Sequence, residues 1–288
     1  MKTYAILFSI AASMLSLQAQ VAIEVRLDQE QFLAGESLTA AARISNRSGQ
    51  ALDFGKDADW LTFHIESQDG FVVEKLGEAP APGEFTVETS KIATRRVDLA
   101  PYFSALRPGR YSIVATVRVK DWNSEIISPP KNFDVIRGAK LWTQEFGVPL
   151  APGSTNRVPE MRRYTLEQAN HLRTQLRLYF RLTDAAESRV LKVQAIGPMV
   201  SFSDLEQQLD KNNHLHALWR TGRQSCTYVS FNTDGEMTAH QTYDLTDSHP
   251  KLKLDEKGVV FVSGGVRRIT PNDVPSKTGD DSAQLENK

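Results

Sequence analysis

Two of the six histidines stand one residue apart in DKNNHLHALWRTG, residues 210–222. Imidazoles at i and i+2 share one face of a β-strand, about 6.5–7 Å apart, and two such nitrogens are a start towards a zinc site. A third donor is then needed, and His240 is the nearest imidazole in the chain. With two-residue turns at Thr221–Gly222 and Asp234–Gly235, His214, Val229 and His240 fall in one row. That leaves His214 and His240 two strands apart, about 9–10 Å. One zinc, with nitrogen bonds of about 2.0–2.1 Å, does not bridge that gap. His214, His216 and His240 are therefore candidate metal ligands whose preferred reading is architectural. The same register puts Leu215, Ala217, Trp219, Tyr228, Met237, Ala239 and Tyr243 on the opposite face as an apolar layer, with Cys226 also turned away from the histidines.

Other chemistry is sparse. There is no G-x-S-x-G elbow, and Cys226 has no histidine close by in sequence, so a buried inert thiol is expected. Ser263–Gly264–Gly265 lacks the strand–loop–helix setting of a phosphate loop, and the paired Asp280–Asp281 lies in the tail. Arg162, Arg163, Arg173, Arg177 and Arg181 make one stretch locally basic. A solvated face is the preferred reading, and contact with an anionic glycan is the alternative. Asn46–Arg47–Ser48 matches the glycosylation sequon but is too common by chance to weigh. No catalytic residue and no cofactor emerges. A metal-dependent hydrolase using His214, His216 and a carboxylate such as Glu236 stands as the rival reading.

The elements that would hold these residues are strands. VAIEVRL (21–27) alternates apolar and polar positions, and SLTAAARISN, WLTFHIES, FVVEKL (71–76), KIATRRVDL, RYSIVATVRV and NFDVI follow, divided by Ser48–Gly49, Asp69–Gly70, Pro82–Gly83 and Pro108–Gly109. Residues 138–163, rich in Pro, Gly and polar residues, read as a linker. TLEQANHLRTQL carries a helix start at Thr165 with Gln168 three residues on. RRYTLEQ equally reads as a strand, which is preferred because everything downstream is β. Residues 271–288 lack core-forming side chains and read as a disordered tail.

F-x-x-G-E-S-L, the strand ending in Asn46, and Pro108–Gly109–Arg110–Tyr111 entering a late strand together resemble exported bacterial immunoglobulin-like domains. The resemblance implies a β-sandwich over residues 20–137 and no particular activity. Farther on, LDKNNHLHALWRTG (209–222) aligns with LDEKGVVFVSGG (254–265), and 178–194 with 227–243. A period near 45 resembles β-propeller repeats, about two blades within residues 164–270. Val259 and Phe261 then occupy the histidine positions, as ordinary inter-sheet packing sites.

Residues 1–19 read as a secretory signal peptide, with Lys2, an apolar run from Tyr4 to Leu15, and Ala19 before the cut. The run is shorter than the roughly 20 residues of a membrane span. Balanced charge, 34 basic against 35 acidic residues, favours neither nucleic acid nor an anionic membrane. The expectation is a mainly β, exported protein, periplasmic or extracellular. It is read as non-catalytic, binding another protein or a surface polysaccharide. GEAPAPGEF (77–85) offers a further alternative, a protease-inhibitory loop rather than a Pro-rich connector.

Overall fold

In VAIEVRL every second side chain is buried, the signature of a strand with one face on a core. The computed structural model describes residues 21–81, 83–104, 106–148 and 159–274. The expected signal peptide lies outside them. Among the described residues there is no α-helix, only the 3-10 turns Ala100–Tyr102 and Lys120–Trp122. The chain divides into two compact units between Ile136 and Arg137.

The N-terminal unit contains β1 (Val21–Leu27), β2 (Gln31–Leu33), β3 (Thr39–Asn46), β4 (Leu52–Phe54), β5 (Leu61–Ser67), β6 (Phe85–Val87), β7 (Ile92–Asp98), β8 (Gly109–Val119), β9 (Ser124–Ile127) and β10 (Lys131–Ile136). One sheet runs β1-β3-β7; another runs β2-β10-β8-β5 with β9 also on β8; β4 pairs β6. β2 lies parallel to β10. Ile23, Val25, Ala42 and Ile44 from the first sheet and Phe63, Ile65, Ile113, Ala115 and Val117 from the second belong to one buried cluster.

FVVEKL, expected as a strand, is not one. It makes a single bridge, Lys75 with Phe103, and Val72 is 93% exposed. β-propensity without a neighbouring strand to complete the ladder does not hold an extended segment in a sheet. The segment GEAPAPGEF is tied down in its middle, where the Ala81 carbonyl accepts the indole N–H of buried Trp60 at 2.9 Å.

The C-terminal unit contains β11 (Ala139–Gly147), β12 (Met161–His171), β13 (Gln175–Asp184), β14 (Val190–Pro198), β15 (Leu205–Leu209), β16 (Leu215–Gly222), β17 (Ser225–Phe231), β18 (Met237–Asp244), β19 (Lys251–Leu254), β20 (Val260–Ser263) and β21 (Val266–Arg268). Two antiparallel meanders result, β11-β12-β13-β14 and β15-β16-β17-β18, the second extended by β21. Their facing sides share one core, with Phe180 stacked on Phe231 at 3.9 Å and Phe146 on Tyr164 at 4.0 Å between ring centroids. β19 and β20 form a separate hairpin. Its Leu252 and Val262 pack on Leu218, Cys226 and Tyr228, the other side of the second meander.

Two expected boundaries move. The segment 138–163 is not a plain linker, because β11 occupies most of its first part and pairs with β12 along its length. β11 carries no apolar pattern for a physical reason. It is an edge strand, and most of its side chains face solvent. Residues 271–274 do not belong to a disordered tail. Asp273 is buried, taking the backbone N–H and hydroxyl of Thr270 and lying 3.3 Å from Arg267, and Val274 bridges His240. Residues 275–288 lie outside the described residues. TLEQANHLRTQL is strand, not helix, forming β12, the turn after it and the start of β13.

Candidate functional site

The His214–Leu215–His216 segment is positioned by a hairpin that the chain uses three times. After β15, Asp210 Oδ1 accepts the backbone N–H groups of Asn212 and His214, both at 2.8 Å, and Asn213 takes the left-handed conformation at φ 61°. After β17, Asn232 Oδ1 accepts from Asp234 and Glu236, with Gly235 at φ 75°. After β19, Asp255 Oδ1 accepts from Lys257 and Val259, with Gly258 at φ 76°. An Asx side chain folded onto its own turn, followed by Gly or Asn at positive φ, is a turn-plus-bulge loop that the residue types dictate. From the facing sheet, the Tyr164 hydroxyl lies 2.9 Å from the Asn232 carbonyl and 3.2 Å from the Asn213 carbonyl, sharing its one proton between two of these loops.

Asp210 Oδ2 is left to meet both histidines. It lies 3.1 Å from His214 Nδ1 and 3.7 Å from His216 Nε2, the latter beyond hydrogen-bond range. His216 Nδ1 is 2.8 Å from the Tyr228 hydroxyl. Burial pushes the Asp210 carboxyl up, but the backbone N–H groups of His214 and Asn212, with the two imidazoles, outweigh it and hold the group below the usual range. Burial pushes His216 down, against the pull of Asp210, and raises the Tyr228 phenol. The result is a carboxylate, a neutral imidazole and a protonated phenol in sequence under the β19–β20 hairpin. The Ser230 hydroxyl adjoins the Tyr228 phenol and lies 2.7 Å from Thr238 Oγ1.

His240 is elsewhere. It pairs with Val229 as expected, but Val229 pairs with Ala217, not His214. His240 therefore lies on the side facing the first meander, and His216 on the other. The expected face assignment is corrected accordingly. Cys226 and Tyr228 sit with Leu218 on the His216 side, and Ala239 and Tyr243 pack against that cluster. The cause is a bulge between Arg220 and Gly222, together with a turn at Arg223–Gln224. One extra residue in a strand reverses every face beyond it. Glu236, the rival's carboxylate, is held by Asn232 Nδ2 at 2.9 Å within its own hairpin. Among the described residues no group of three His, Cys, Asp or Glu is disposed to hold a metal ion.

The repeat is matched in the hairpins but not in the packing. His216 is buried, whereas Val259 and Phe261 are 48% and 44% exposed. The two-stranded β19–β20 pair covers only one of its faces. Three of the five arginines in the basic stretch are in ion pairs, while Arg173 is exposed. Arg162 bonds Asp234 and Glu160, Arg163 pairs Glu145 and Glu187, and Arg181 pairs buried Glu167.

Arg177 differs: its Nε donates to Gln175 Oε1 at 3.0 Å, and no carboxylate among the described residues pairs with it. It lines a cleft of about 690 Å³ between the two meanders. Gln175 and Arg177 come from β13, Ile196 and Gly197 from β14, Thr221 from β16, Ser225 and Thr227 from β17, and Met237, His240 and Thr242 from β18. Arg268, Thr270 and Asn272 close one side. Thr227 Oγ1 donates to Thr221 Oγ1 at 3.2 Å, and Thr221 Oγ1 lies 3.4 Å from Ser225 Oγ. His240 Nδ1 is buried without a partner, and burial pushes that imidazole towards neutrality against the pull of Asp273. Sequence reasoning missed this cleft, since five strands from two sheets and the segment after β21 each contribute a few residues. The Asp210 contact was legible in principle, because Asp-x-x-Asn before a strand is a turn signal.

No family model and no curated protein sequence matches the chain. Among solved structures it is similar to Spo0M, a sporulation control protein from Bacillus subtilis, at 9% identity over 73% of this chain and 78% of that one. The TM-score is 0.27, and a likeness at that level carries no argument about this chain.

Proposed function

We propose that this is an exported, non-catalytic binding protein of the periplasm or cell exterior, which holds a surface polysaccharide in the cleft of its C-terminal unit. The observation that carries the reading is that cleft: about 690 Å³, lined by hydroxyl, amide, guanidinium and imidazole groups. A pocket of this size with convergent polar groups is the ordinary setting for a ligand. Its described lining contains neither carboxylate nor thiol, so hydrolysis by a carboxylate pair or a cysteine has no groups to use there.

The N-terminal unit is read as an immunoglobulin-like sandwich. Support comes from the order β1-β3-β7 beside β10-β8-β5, and from the parallel β2–β10 pair. The Tyr111 hydroxyl donates to the Arg107 carbonyl at 2.7 Å near the start of β8, the bond of a tyrosine corner. The two four-stranded meanders are read as propeller-blade-like units that pair face to face instead of closing a ring.

The test is saturable binding of the purified full chain to a panel of isolated polysaccharides, run beside glycoside and peptide libraries. Binding without turnover is expected. Turnover abolished by a single substitution, or no binding to any polysaccharide, would refute the proposal.

A further inference from the structure

We infer that the cleft selects an acidic saccharide, one whose sugar rings carry a carboxylate or a sulfate. The inference rests on the binding role proposed above and adds the charge of the ligand. Three observations point the same way. Arg177 and Arg268 line the cleft, and among the described residues no Asp or Glu does. Arg177 spends only its Nε on a neutral amide, so its terminal N–H groups are unclaimed by any carboxylate among the described residues. Three other arginines of the same stretch are consumed in ion pairs, which makes the unspent one at the cleft a difference in use and not a matter of composition. Arg268 keeps one contact, Asp244 at 3.3 Å, on a side chain 54% exposed.

Hydroxyl chemistry supplies the rest of the recognition. Thr221, Ser225 and Thr227 form a chain of neighbouring oxygens on adjoining strands, and each hydroxyl both donates and accepts, as a sugar hydroxyl requires. Ile196 and Met237 give the apolar contact that the ring C–H groups need. Backbone conformation also shapes the wall. Gly197 sits at φ 144°, a conformation that residues with a side chain rarely adopt, so this position stays bare beside the cleft. A guanidinium binds carboxylate or sulfate through paired, charge-assisted N–H bonds, stronger than those it makes to a neutral hydroxyl.

The experiment is calorimetric titration of the full chain with three oligosaccharides of matched length. These are oligogalacturonate, its carboxyl-reduced neutral counterpart, and a sulfated dextran fragment. Wild type, Arg177→Ala and Arg177→Lys are compared, with thermal unfolding checked for each. The expected result is binding of at least one acidic probe, about ten- to a hundredfold weaker in Arg177→Ala, partly restored in Arg177→Lys, and weakened by salt. The carboxylate and sulfate arms then say which anion is preferred. If the neutral probe binds as tightly as the acidic ones, or Arg177→Ala binds acidic probes unchanged, the charge assignment fails while the binding role stands. If no saccharide binds, both fall.

Discussion

Asn46 offers the sharpest test of how the N-terminal unit is held together. It is fully buried at the end of β3. Its Nδ2 donates to the Gln50 carbonyl at 2.7 Å and the Val87 carbonyl at 2.8 Å, and its Oδ1 accepts the Ser48 N–H at 2.9 Å and hydroxyl at 2.7 Å. One side chain thus ties β3 to its following turn and to β6. Asn46→Ala removes four bonds, one of them wholly buried. At about 0.5–1.5 kcal/mol net each, and with partial rescue by water at the turn, the loss is about 3 kcal/mol. Asn46→Asp keeps Oδ1 for Ser48 but turns an oxygen towards two carbonyls. Its penalty should match or exceed that of alanine at pH 7 and shrink in acid, where a protonated carboxyl can donate once. Urea unfolding followed by tryptophan fluorescence measures the loss, with amide exchange across β3 and β6 assigning the transition. Both variants within about 0.5 kcal/mol of wild type would refute the reasoning. The same geometry bears on the sequon at Asn46: both amide hydrogens are engaged, so intact mass of glycosylation-competent material should show no sugar there.

Other outcomes follow from single sites. Gly235→Ala should cost about 1–2 kcal/mol, since the residue sits at φ 75° and a Cβ would lie 3.1 Å from Leu182 and 3.2 Å from Phe180. Gly258→Asn, at the equivalent hairpin position but facing only the Lys211 side chain, should cost less than about 0.5 kcal/mol by thermal unfolding. Burial lowers the pKa of His171, His216 and His240. The unfolded chain therefore takes up protons near the ordinary value of 6.5 that the folded chain declines. Stability should fall as pH drops through 6.5, and these histidines should contribute no slope above about pH 8; a flat stability profile between pH 7 and 5 would contradict this. Cys226 is buried and its thiol is pushed up by desolvation, so a thiol reagent at pH 7 should react only at the rate of unfolding.

What the sequence showed and what it hid divide along one physical line. Local pattern was legible: β1, β3, β5, β7, β8 and β10 lie where alternating residues and turn signals put them, and the hairpins at Asp210 and Asp255 were legible as a recurrence of Leu-Asp. Edge strands were not, because β11 buries too little to leave an apolar pattern. Facing was the costliest omission. Moving the β16–β17 turn from Thr221–Gly222 to Arg223–Gln224 shifts the pairing by an even number of residues, which alone leaves each side chain beside neighbours of the same face. The bulge between Arg220 and Gly222 adds one residue, and that odd step carries His214 and His216 to the face shared with Tyr228 and leaves His240 with the cleft. A bulge is chosen by the fit of the whole sheet on its neighbours. Here Gly222, where an added Cβ would come within 2.7 Å of Ser225 Oγ, permits the tight return that the extra residue requires. The cleft inherits this: Thr221, Ser225 and Thr227 converge on one another, and towards Arg177 of the facing meander, through the local geometry of that irregular hairpin.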